Sequence, residues 1–64
     1  MTRAEQLMEL WQASRLAERD GLLAGIARVT PSMPWWNVEK VGTMLDVWAR
    51  MDAAEQDLFL KGVL

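Results

Sequence analysis

Apolar positions along this chain recur at helical rather than strand spacing. Leu7, Leu10, Trp11 and Ala17, with Ser14 between them, fall on one side of a helix beginning near Arg3. Gln6, Glu9, Gln12, Arg15 and Arg19 occupy much of the other side. Thr2-Arg3-Ala4-Glu5 is a capping-box sequence, in which a threonine caps the helix and a glutamate three residues on reaches back to the cap.

Asp20-Gly21 poses a choice. It can be a turn, with a second short helix from Leu22 to Val29, or it can lie inside one long helix from Arg3 to about Arg28. A single glycine costs a helix only about 1 kcal/mol relative to alanine. No proline intervenes, so the long helix is favoured. Continuity would also line up Ala13, Ala17, Gly21 and Gly25 at intervals of four. Such a stripe of small residues lets a second helix approach closely, by analogy with small-residue contacts in membranes. These four residues are the expected self-association surface.

Thr30-Pro31-Ser32-Met33-Pro34 ends that helix, because two prolines cannot continue it. Ser32 or Asn37 is the expected cap of the next helix. Val38, Val41, Leu45 and Trp48 form its apolar stripe, with Met44 and Met51 widening it, and Asp46 and Arg50 pair on the wet side. Asp52-Ala53-Ala54-Glu55 is a second capping box and opens a last helix. Leu58 and Phe59 are its apolar anchors and Gly62 its expected end. The expected fold is one all-α domain over residues 1–64. It consists of a helical hairpin plus a short third helix, completed by self-association, with a homodimer the simplest form.

Size sharpens that last expectation. A chain of 64 residues can bury only about 60% of its unfolded surface. With no cysteine and no histidine, neither a disulfide nor a structural zinc site is expected to staple it. Yet 52% of its residues are apolar, including four tryptophans and five methionines. These types concentrate at protein interfaces. Trp11 and Trp48 sit on core stripes. Trp35 and Trp36 are adjacent, so on a helix they point about 100° apart and one core cannot easily take both. Met33, Trp35 and Trp36, in a segment pinned by prolines, are therefore the expected partner-binding residues.

Charge and chemistry narrow the function. The net charge is −2, without the basic excess of a nucleic-acid binder. A helix-turn-helix reader remains the alternative, with Leu22 to Val29 as its first helix and the reader from Trp35 onward. That reading face offers only Lys40 to phosphates. The longest apolar run, Leu22 to Ala27, is far short of a membrane span, and the N-terminus lacks the apolar stretch of a signal peptide. The expectation is a cytoplasmic protein. No histidine, cysteine or tyrosine is present as base, nucleophile or acid, so no enzymatic activity and no cofactor are expected. The carboxylates Asp52, Glu55 and Asp57 read as a solvated helix start. The expected function is protein–protein interaction, in which the chain binds and modulates or inhibits a larger partner. Small regulators of bacteriophages and mobile elements have this character.

Overall fold

The computed structural model describes residues 2–30 and 38–64. Among them are four helices and no strand: α1 (Arg3–Gln12), α2 (Leu16–Ala27), α3 (Val38–Arg50) and α4 (Ala53–Val63). α3 packs against both α1 and α2, and α4 packs against α1. The all-α expectation holds, with one helix more than the hairpin and third helix expected.

The extra helix comes from a break between Gln12 and Leu16, where the sequence pattern favoured one helix over residues 3–28. The break does not lie at Asp20-Gly21 either. Gly21 sits buried in the middle of α2, with no positive φ. The physical reason is that side chains meet the last carbonyls of α1, which have no partner within the helix. Ser14 Oγ donates to Leu10 O at 2.6 Å. Arg19 Nε donates to Trp11 O at 2.9 Å and its Nη2 to Gln12 O at 3.3 Å. Lys40 Nζ reaches across from α3 to Ala13 O at 2.7 Å. Arg15 then turns extended, at φ −80° and ψ 165°, and its N–H donates to Glu18 Oε1 at 3.0 Å. Glu18 is buried, and this bond gives its carboxylate a partner. The helix therefore ends without glycine or proline.

Other local expectations hold. Thr2 Oγ1 accepts from Glu5 N–H at 3.1 Å, and Glu5 Oε1 accepts from Thr2 N–H at 3.4 Å. Asp52 Oδ1 accepts from Glu55 N–H at 2.8 Å, and Glu55 Oε1 from Asp52 N–H at 3.3 Å. Asp46 and Arg50 pair at 3.2 Å in the open. α2 ends near the expected Arg28, but through the hydrogen bonds of a Schellman turn. Val29 N–H donates to Ala24 O at 2.9 Å and Arg28 N–H to Gly25 O at 3.3 Å. The expected caps of α3, Ser32 and Asn37, lie outside the described residues.

The core stripe of α3 is rotated from its expected centre. Val41, Met44, Val47 and Met51 are buried, whereas Leu45 and Trp48 are half-buried flanks. Val38, expected within the stripe, is 68% exposed. Burial peaks along the line that faces α1 and α2 together, and the methionines occupy it. In α4, Phe59 is buried and its neighbour Leu58 is not. Trp11 and Trp48 close on Phe59 edge-on, with ring centroids at 5.7 and 6.1 Å, a favoured aromatic geometry. Gly62 does not end α4, which continues to Val63.

Candidate binding surface

The expected binding residues Met33, Trp35 and Trp36 lie outside the described residues. The expected self-association stripe is distributed over two elements. Ala13 caps the C-terminus of α1 and Ala17 is half-buried in the first turn of α2. Gly21 is buried. Gly25 faces Leu45, and a Cβ placed there would fall 2.8 Å from Leu45 Cδ2. With the chain turning between Ala13 and Leu16, the four residues do not share one helix. At Gly25 the close approach is made within the molecule, between α2 and α3.

A different surface combines apolar lining with exposure. α1 and α4 run antiparallel, since Met8 of α1 meets Gly62 while Trp11 meets Phe59. Gly62 has no side chain to hold the helices apart. A Cβ there would lie 2.7 Å from Met8 Cε, so the methionine lies directly over the glycine. Beside this contact lies a groove of about 280 Å³, lined by Ala4, Glu5, Met8, Leu58, Phe59 and Gly62. Its α4 wall is Leu58, which is 63% exposed. Apart from Glu5, the residues that line it are apolar.

Charge flanks the groove unequally. On the α1 side stand Glu5 and, one turn on, the exposed Glu9. On the α4 side, three residues past Leu58, stands Lys61, whose Nζ meets Asp57 Oδ2 at 2.9 Å. That pair is well exposed, so its contribution to stability is small. The carboxylates at the start of α4 are engaged within the helix. Asp52 and Glu55 cap α4, and Asp57 pairs with Lys61.

Sequence reading passed over this groove although a signal was present. Leu58 and Phe59 are adjacent in a helix, and the argument that one core cannot take both rings of Trp35 and Trp36 applies to them equally. Comparison with family models, with curated proteins and with solved structures finds no match to this chain.

Proposed function

We propose that the protein works by binding another protein chain through the groove between α1 and α4. The observation that carries this reading is the apolar groove itself, walled by a leucine that is 63% exposed at its rim. A leucine beside an apolar groove gains by being covered, at about 25 cal/mol per Å² of apolar surface removed from water. The groove rests on helices tied into the core through Phe59, so its shape is set before binding. Preorganisation of this kind lowers the entropic cost of recognition. The biological outcome of such binding would be modulation of the partner, of which inhibition is one form.

Affinity capture from the native host with wild-type chain and with Leu58→Asp tests the reading. Leu58 is not part of the core, so the variant should retain the helical circular dichroism of the wild type. At least one protein should be held by the wild type and lost by the variant. If the captured sets are the same, the groove is not the binding surface. Duplex DNA binding with a steep salt dependence that Leu58→Asp leaves unchanged would instead favour a DNA-binding regulator.

A further inference from the structure

We propose that the occupant of the groove between α1 and α4 is a basic amphipathic helix of the partner protein. The proposal rests on the groove being the binding surface and names the chemistry of what fills it. The form of the occupant follows from the walls. Among the described residues there is no strand, so they offer no sheet edge to an extended peptide. Two antiparallel helices of 10 and 11 residues instead make a trough about 16 Å long, or three helical turns. A third helix seats a ridge of side chains in such a trough. Its apolar residues, at intervals of three and four, meet Met8, Leu58 and Phe59. Methionine adapts its shape to what it meets.

The charge of the occupant follows from the rim. Residues three or four positions from a lining residue share its side of the helix. On α1 this places Glu9, four past Glu5, beside the groove. On α4 it places Glu55 there, three before Leu58 and four before Phe59. Glu5 and Glu55 each accept a cap N–H at Oε1, a bond that brings no cation. Among the described residues, none of Glu5, Glu9 and Glu55 forms a salt bridge.

The nearby cations do not offset them. Lys61, three past Leu58, stands 2.9 Å from Asp57, and that pair adds no net charge. Arg3 lies about 140° around α1 from Met8 and about 160° from Glu5, turned away from the groove. The guanidinium of Arg19 lies over the Trp11 ring and donates to the Trp11 and Gln12 carbonyls. The rim is therefore acidic. A rim of one sign attracts a helix of the opposite sign and rejects one of its own. Lysines or arginines on the inserted helix meet Glu5 and Glu9 along α1 and Glu55 near the start of α4.

Two synthetic helical peptides of about 14 residues, long enough to span the trough, test the proposal. Both carry leucines at intervals of three and four. One has lysines on its remaining face and the other glutamates. Fluorescence anisotropy of the labelled peptides with the full chain gives Kd, and circular dichroism of each variant controls for folding. The lysine peptide should bind about tenfold more tightly than the glutamate peptide, and the difference should shrink as salt rises. Leu58→Asp should weaken the lysine peptide by about tenfold or more. That variant adds a negative charge, so attraction between net charges alone would strengthen binding instead. Glu9→Lys should weaken the lysine peptide about tenfold and tighten the glutamate peptide. Equal binding of the two peptides, binding of neither, or lysine-peptide binding that Leu58→Asp leaves intact overturns the proposal. So does a wild-type dimer that Leu58→Asp dissociates in sedimentation equilibrium, since the groove then belongs to a second copy. A host protein captured through Leu58 beside equal binding of the two peptides overturns only the basic chemistry and leaves the proposed function standing.

Discussion

At Arg28 the backbone adopts φ 58° and ψ 44°, the one positive φ among the described non-glycine residues. This is the position after the helix where glycine is usual, because a Cβ in the left-handed region costs roughly 1–2 kcal/mol. The two turn hydrogen bonds to Ala24 O and Gly25 O hold the arginine there. Arg28→Gly should therefore stabilise the protein. Part of the gain is lost to the greater freedom of glycine in the unfolded chain, leaving about 0.5–1 kcal/mol. Thermal unfolding followed by circular dichroism should show a melting temperature higher by a few degrees, and no change or a decrease would contradict the account. Arg28 looks ordinary in sequence, since an arginine near the end of a helix suits the helix dipole anyway.

Between elements, two exposed helical glycines should respond differently to the same substitution. Gly42 in α3 has nothing within 4 Å of the place a Cβ would occupy. Gly42→Ala should stabilise by about 0.5–1 kcal/mol through helix propensity alone. Gly25 in α2 would put its Cβ 2.8 and 2.9 Å from the two methyls of Leu45 and 3.3 Å from its Cγ. With three side-chain atoms in the way, Leu45 must leave its place against the core, at a cost of typically 1–3 kcal/mol for such overpacking. Gly25→Ala should therefore be neutral to destabilising by about 2 kcal/mol despite the same propensity gain. Urea unfolding of the two variants checks the contrast, and an equal stabilisation of both would show that α2 and α3 do not approach closely at Gly25. Intervals of four put Gly25 on a self-association stripe of one continuous helix, whereas it lies in α2 against Leu45. They could not reveal that the contacting helix is α3 of the same chain, since that depends on where α2 begins.

For the whole molecule, Phe59 is the joint between α4 and the rest. It is 1% exposed and carries Trp11 from α1 and Trp48 from α3 on its edges. Phe59→Ala should cost about 3–5 kcal/mol. Natural domains hold only about 5–15 kcal/mol in total, the smallest near the low end, so this variant should be largely unfolded. Loss of helical circular dichroism together with a red shift of tryptophan emission is the expected result. A variant that kept wild-type helicity and melting temperature would show that α4 is not anchored through this ring. Because the groove lines one side of the same ring, its shape and the stability of the fold depend on one residue. That is why Leu58, and not Phe59, is the position at which binding can be separated from folding.

The sequence by itself determined the helical class, both capping boxes and the Asp46–Arg50 pair. All are set by spacings of three and four residues, which the geometry of a helix imposes before any packing occurs. Tertiary structure decided the rest. The end of α1 depends on Arg19 and on Lys40 reaching its carbonyls, the latter from α3, and no local pattern encodes a partner 27 residues away. The stripe of α3 is centred on Val41, Met44 and Val47 because α1 and α2 meet it along that line, whereas periodicity alone allowed the neighbouring line through Leu45 and Trp48. The groove, too, exists only once α1 and α4 lie antiparallel with Met8 over Gly62. In sequence those residues are an unremarkable methionine and a glycine that looked like a helix end. Their meaning comes from contact between residues far apart in the chain, which a periodic pattern can permit but cannot specify.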